Sequence, residues 1–173
     1  MKDSQLIPLL PLEEYQRRRR RRESSIPEVW DLLDAVKDPE IPVLSIWDLG
    51  VLQDIKKNGN ELLVTITPTY SGCPAVDVMK EDILIALQKS GYVNSRVESK
   101  LSPAWTTAWM SSEGRKKLQE YGIAPSKHSN TGIQCPHCNS MDVAVISEFG
   151  STSCKSLYRC KACSEAFDYF KNI

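Results

Sequence analysis

Cys135-Pro136-His137-Cys138-Asn139 and Cys160-Lys161-Ala162-Cys163-Ser164 are two tight knuckles of one design, and their pairing decides how the C-terminal part of the chain folds. Two CxxC turns brought together present four thiolates in a tetrahedron, which suits Zn²⁺ and can also hold iron. Pro136 restricts the first turn, and backbone N–H groups inside each turn are placed to donate to the sulfurs. Between and after the knuckles the pattern is one of short strands, at 143–147, 156–159 and 166–170. These carry too few apolar residues for an independent core, so metal ligation must supply much of the folding energy. Residues 133–173 are therefore predicted to be a four-cysteine zinc ribbon. Pairing the same cysteines as disulfides requires an oxidising compartment, to which nothing else in the chain points.

The second informative segment is Thr67-Pro68-Thr69-Tyr70-Ser71-Gly72-Cys73-Pro74-Ala75. A helix beginning at Pro74 puts Cys73 at its N-cap, where unpaired N–H groups and the helix dipole favour a thiolate. Such a thiolate ligates a soft metal or attacks an electrophile, and both uses require an exposed loop. The bland alternative is a buried structural cysteine. Asp38 and Glu40 supply carboxylates to this loop if the first helix ends beside it; otherwise they form a helix-ending turn. No hydrolase triad can be assembled, because His128 falls in a linker and His137 in a knuckle, leaving the rest of the chain without a histidine base.

Around these segments the chain reads as an α+β domain. Residues 1–25 form an arginine-rich leader predicted to be disordered. A helix opens at Ser25 or Ile26-Pro27, with Val29, Leu32, Leu33 and Val36 at helical spacing, and stops at Asp38-Pro39-Glu40-Ile41-Pro42. Strands at 51–57 and 61–67 are joined through Asn58-Gly59, a strong hairpin signal. A second helix spans 74–89, with Val76, Met79, Ile83 and Leu87 on one side and Gly91 at its end. A third strand follows at 93–101, and Ser111 or Ser112 caps a short helix ending near Tyr121-Gly122. The order α-β-β-α-β-α predicts helices packed on one face of a small sheet over residues 26–122. Residues 123–132, rich in Pro, Ser, Asn and Gly, read as a linker.

Composition narrows the function classes. The 173 residues are 41% hydrophobic, enough for one ordinary domain plus a metal-stabilised module. Basic and acidic residues number 22 each, but six of the basic ones are the arginines of 17–22. The remainder is therefore acidic, which disfavours nucleic acid as its main partner. The arginine run lacks interleaved aromatics to stack bases and reads as a solvated arm. The apolar stretch 6–12 is short, interrupted by proline, and followed rather than preceded by the positive run, so it is not read as a secretory signal. No stretch approaches the length of a membrane span, and a cytoplasmic protein is expected. Walker, dinucleotide-binding and serine-elbow motifs do not occur.

Three segments carry a family resemblance: Val36-Lys37-Asp38-Pro39-Glu40-Ile41-Pro42, Asp48-Leu49-Gly50-Val51, and Thr67 through Pro74. They make residues 28–101 resemble the MIP18-like domain shared by MIP18-type and SufT-type iron–sulfur assembly factors. With the ribbon added, and Gly150-Ser151-Thr152-Ser153-Cys154-Lys155 leading into Tyr158-Arg159-Cys160, residues 26–173 are similar to the D-subunit family of bacterial phenylacetyl-CoA epoxidase systems. The resemblance implies an accessory role. Such systems epoxidise an aromatic ring with a di-iron oxygenase fed by a flavin and iron–sulfur reductase, and the D subunit resembles a maturation factor for one of these metal centres more than a catalytic subunit. By the same resemblance Cys73 is the reactive cysteine that handles transient iron–sulfur cargo, and Asp38 is the acid of a DPE motif. The implied partners are oxygenase or reductase subunits and the iron–sulfur assembly machinery. Two rival readings are a ribbon-type scaffold or adaptor, acting on protein or through the arginine arm on RNA, and an electron-transfer subunit whose ribbon holds iron. Cys154 is a fifth cysteine of the ribbon region that could expand or exchange the metal site; since four ligands complete a tetrahedron, it reads as a small strand residue packed beneath the ribbon.

Overall fold

A computed structural model describes residues 10–126 and 132–173. His128 and the outermost part of the arginine leader, residues 1–9, lie outside the described residues.

Helix α1 spans Leu12–Arg22 and helix α2 spans Pro27–Asp34. Proline suits the first position of α2 because its missing N–H would be unpaired there anyway, and the helix buries Val29, Trp30 and Leu33. It ends before the expected stop at Asp38-Pro39. Residues 35–50 fold instead into successive turns, tied by Ile46 N–H to Val36 O at 3.0 Å and Asp38 N–H to Leu44 O at 3.0 Å.

Strands β1 (Leu52–Asn58) and β2 (Glu61–Ile66) form the predicted antiparallel hairpin, with Gly59 at φ 60° in its turn. Helix α3 (Ala75–Lys89) then crosses to β3 (Ser95–Ser99), which pairs parallel to β2, so this part of the sheet is a βαβ unit. Ala75, Met79, Ile83 and Leu87, four residues apart, form the buried stripe of α3; Val76, expected there, is only half-buried. Gly50 demands glycine on two counts. Its φ is +80°, and an added Cβ would stand 2.7 Å from the Trp109 carbonyl oxygen.

Two expectations are corrected by the structure. The leader is not a solvated arm over 12–22 but helix α1, docked by its charged side. The Arg17 guanidinium donates to Trp47 O at 3.0 Å and Leu52 O at 3.3 Å and stacks over the Trp47 ring at 4.2 Å. Arg21 pairs with Asp31 and Asp34, and buried Glu14 accepts from Ser112 Oγ at 2.7 Å. No apolar periodicity announces this helix, because the face it buries is made of Glu14 and Arg17.

The second correction concerns the expected linker. Ile123–Ala124 form strand β4, which pairs parallel to the last strand of the ribbon. The rest of the ribbon follows prediction closely, with β5 at Val143–Ser147, β6 at Lys155–Cys160 and β7 at Ala166–Phe170, in the order β4-β7-β6-β5. Yet the ribbon is not a separate module. Phe170 and Cys154 belong to the main hydrophobic core, and Phe170 meets Trp105 edge-on at 6.0 Å. Among the described residues, the buried part of the ribbon's private core is Ala124, Cys135, Cys160 and Phe167, with Ile133, Val143, Tyr158 and Tyr169 half-buried against it.

Helix α4 (Ser112–Glu120) is capped by Ser111, whose hydroxyl accepts from Gly114 N–H at 2.8 Å and donates to Asp48 at 2.8 Å. Burial pushes the Asp48 carboxyl up, but Lys117, Ser111 and the Ser45 N–H outweigh it and hold the group below its ordinary value of 3.8. A depressed folded value means stability that is present above the ordinary carboxylate range and lost as pH falls through it. Asp48→Asn is therefore expected to cost roughly 1–2 kcal/mol near neutrality, screening by solvent at the half-exposed Lys117 included. Thermal melts of both proteins should begin to converge below about pH 4 and meet once pH has fallen through the depressed Asp48 value; a gap that persists below that would show that the carboxylate charge is not what matters.

Candidate functional site

The four knuckle cysteines converge. Their sulfurs all lie within 4.8 Å of one another, with Cys135 Sγ 3.8 Å from Cys163 and Cys138 Sγ 3.5 Å from Cys160. Zn–S bonds of about 2.3 Å at tetrahedral angles give a sulfur–sulfur edge of about 3.8 Å, so the donor set fits the ion the ribbon implies. Each knuckle closes the same way. Cys135 N–H donates to Ser140 O at 2.9 Å and Cys160 N–H to Glu165 O at 2.8 Å. The residue after each second cysteine takes left-handed backbone, Asn139 at φ 63° and Ser164 at φ 66°. The N–H groups of Cys163 and Ala162 donate to the Cys160 sulfur and pull its thiol down to about 7. His137 is exposed beside this cluster and is not part of it.

A second constellation lies under the ribbon, inside the α+β domain. Asp38, Glu40, Thr69, Cys73 and Cys154 line one small cavity, floored by Ile41, Met79 and Phe170. The two residues that the sequence singled out here, Asp38 and Cys73, are thus brought together. Asp38 arrives by its own turn, in which Oδ1 accepts the N–H groups of Glu40 at 2.9 Å and Ile41 at 2.7 Å. Cys73 arrives at the end of the β2–α3 loop, one residue ahead of the helix cap it was expected to form. Pro74, not Cys73, is the N-cap of α3.

Cys73 is also buried, where the sequence had placed it in an exposed loop. Burial pushes its thiol up; the Ala75 N–H and the Tyr70 hydroxyl pull the other way without overcoming it, and the Glu40 and Asp38 carboxylates add to the rise. The expected activation by the helix terminus is therefore outweighed. The Tyr70 hydroxyl is pushed up to about 12, by burial first and then by the neighbouring Cys73. Asp38 and Glu40 are likewise raised, chiefly by burial.

Cys154, read from the sequence as a small residue packed beneath the ribbon, also lines this cavity. It is buried and outside the ribbon ligand set, as expected, and it packs into the α+β core. Its only sequence signal was that four cysteines already complete a tetrahedron, which left the fifth free for another site. A groove elsewhere, about 660 Å³ and walled by Arg18, Arg21, Asp31, Trp47 and Lys117 among others, is lined by no cysteine.

Comparison with known proteins agrees with this two-part geometry. Residues 27–96 match a family described as an iron–sulfur cluster assembly protein, and residues 123–171 match the PaaD zinc beta ribbon domain. A protein of Escherichia coli (strain K12), provisionally named the D subunit of 1,2-phenylacetyl-CoA epoxidase, is 46% identical over 154 residues, covering 86% of this chain and 93% of that one. The chain belongs to the D-subunit family of phenylacetyl-CoA epoxidases. Other relatives of this family member match the assembly half. An Fe-S protein maturation auxiliary factor of Porphyromonas gingivalis (strain ATCC BAA-308 / W83) is 32% identical over 89 residues, covering 50% of this chain and 84% of its own. A crystal structure of a DUF59 domain from Bacillus anthracis superposes with a TM-score of 0.50 at 28% identity, over 53% of this chain and 89% of that one. This D-subunit family member thus joins an iron–sulfur-assembly-type domain to a four-cysteine metal-binding ribbon. No helix among its described residues is long and apolar enough to cross a membrane.

Proposed function

We propose that this protein is a cytoplasmic accessory factor that matures the iron–sulfur or di-iron centres of a multicomponent phenylacetyl-CoA epoxidase, and is not itself a catalyst. The observation that carries the reading is the meeting of Asp38 and Cys73 in one cavity within a domain of the iron–sulfur assembly type. Cys73 offers a thiolate donor for iron or iron–sulfur cargo and Asp38 a carboxylate beside it. Zn²⁺ held by Cys135, Cys138, Cys160 and Cys163 has a structural role, keeping the ribbon folded against the cavity. The partners are oxygenase or reductase subunits and the machinery that supplies cargo. Exposed Val145, Ile146 and Phe149 on the ribbon's edge supply an apolar surface for protein contact. The arginine arm favours no nucleic acid, since Arg17, Arg18 and Arg21 are engaged within the molecule.

The test is genetic and analytical together. Cells expressing the epoxidase system with Cys73→Ala are expected to accumulate epoxidase and reductase with incomplete metal centres and low turnover, while the variant itself keeps its fold and ribbon metal. Iron content and activity of the purified components decide the matter. Equal metal loading and turnover in both strains would remove Cys73 from cargo handling and leave scaffolding as the better account.

A further inference from the structure

We propose that the inner edge of the ribbon, residues 152–155 and 170–173, is a lid on Cys73: docked, it seals the thiol from solvent, and the thiol is presented only when this edge lifts from the α+β domain. The inference rests on the maturation reading, which requires Cys73 to meet cargo, and supplies the regulation of that same residue.

A cargo thiol needs such a device because the closed structure gives no access to it. Cys73 is 9% exposed, and its cavity of about 10 Å³ holds at most one water-sized occupant. Iron–sulfur cargo, or iron carried with ligands of its own, is larger. The cavity walls come from two parts of the chain. Asp38, Thr69 and Met79 belong to the assembly-type domain, whereas Cys154 and Phe170 belong to the ribbon. Lifting the ribbon's side therefore opens the cavity while leaving in place the loop and helix that carry Cys73.

The seam beneath this edge has the make-up of a surface that parts. Phe170 against Trp105 is its apolar portion, and charged groups lie beside it. Lys155, 4% exposed and paired with Asp168 inside the ribbon at 3.5 Å, faces the Asp38 and Glu40 carboxylates across the seam. In a permanent core such groups are less favourable than apolar side chains of the same size. At a parting surface they regain water when it opens, which lowers the free energy of opening. A clasp holds the chain end: Thr107 N–H donates to Ile173 O at 3.1 Å, and the Thr107 hydroxyl donates to Asn172. The edge itself is tied into one piece. Lys171 N–H donates to Cys154 O at 2.9 Å and the Lys171 ammonium to Ser153 O at 3.0 Å, while metal at the two knuckles keeps the sheet behind it folded.

The test is labelling of the full-length, zinc-loaded protein with N-ethylmaleimide, followed cysteine by cysteine by mass spectrometry. Cys73 and Cys154 stand on opposite sides of the seam, so lifting the edge exposes both. Each should react about a hundredfold more slowly than in the urea-unfolded chain. A maleimide on either thiol cannot fit the closed cavity, so the second thiol should follow at once and doubly labelled chains should outnumber singly labelled ones. Zinc should stay bound, and amides of β1 and β2 should keep their exchange protection throughout. Asn172→Ala, a change at an exposed position that removes one contact of the clasp, should raise both rates together by about fivefold; rates equal to wild type would overturn the clasp. Labelling of Cys73 in the wild-type chain at its unfolded rate would overturn the seal. Labelling of Cys73 without Cys154 would trace access to its own loop and overturn the lid, as would labelling of both only when β1 and β2 lose protection. The maturation reading is decided separately, by the iron content of the epoxidase in cells carrying Cys73→Ala.

Discussion

Cys160→Ser is expected to take the ribbon from one bound zinc per chain to none and to unfold it. A structural thiolate site of this kind is worth about 10–16 kcal/mol at neutral pH, more than a module with a private core of Ala124, Cys135, Cys160 and Phe167 can replace. From sequence alone the damage would stop at the linker. The structure extends it, because Phe170 and Cys154 fill the main core and β4 leads directly out of α4 into the ribbon sheet. Amide hydrogen exchange should lose protection across β5, β6 and β7, and the α+β domain should melt at a lower temperature than in the zinc-loaded protein. Retention of zinc by a Cys135→Ser/Cys160→Ser double variant would remove the assignment of these ligands. Loss of zinc with an unchanged melt of the α+β domain would show that the two parts are energetically separate after all.

Phe170→Ala should be nearly as damaging, for a reason that has nothing to do with metal. Phe170 is fully buried and packs edge-on against Trp105, whose indole N–H is tied to Leu49 O at 3.1 Å. Truncating a buried phenylalanine leaves a cavity and costs about 3–5 kcal/mol. Although the substitution lies near the end of the ribbon, urea unfolding followed by fluorescence of Trp30, Trp47 and Trp105 should shift to a lower midpoint with the slope unchanged. The zinc should stay, because Phe170 belongs to neither knuckle. A midpoint within about 1 kcal/mol of wild type would mean that the site collapses around the loss, contrary to the close packing seen here.

Much of the architecture is legible in the residues because it is set by local rules. The period of Met79, Ile83 and Leu87 specifies α3, the Asn58-Gly59 pair specifies the β1–β2 turn, Ser111 marks the start of α4, and the two CxxC spacings specify the knuckles. Helix α1 escaped notice because its buried face is Glu14 and Arg17; hydropathy reads such residues as solvent-facing, and only a tryptophan ring and free carbonyls at the right distance make their burial favourable. At the thiol cavity, the convergence of Asp38 with Cys73 could be expected from the loop and turn that carry them. The protonation of Cys73 could not, since it depends on how much water is excluded and on which carboxylates stand nearby.

By itself, then, the sequence determined the order of elements from α2 to α4 and the two knuckles that bring four cysteines together, since each is written in spacing and turn chemistry within a few residues. Only the tertiary structure decided that Arg17 belongs to the interior, that Ile123 and Ala124 are strand rather than linker, and that Cys154 lines the same cavity as Cys73. Those outcomes depend on contacts between residues far apart in the chain, where burial, charge pairing and shape are shared among several elements at once and no local pattern records them.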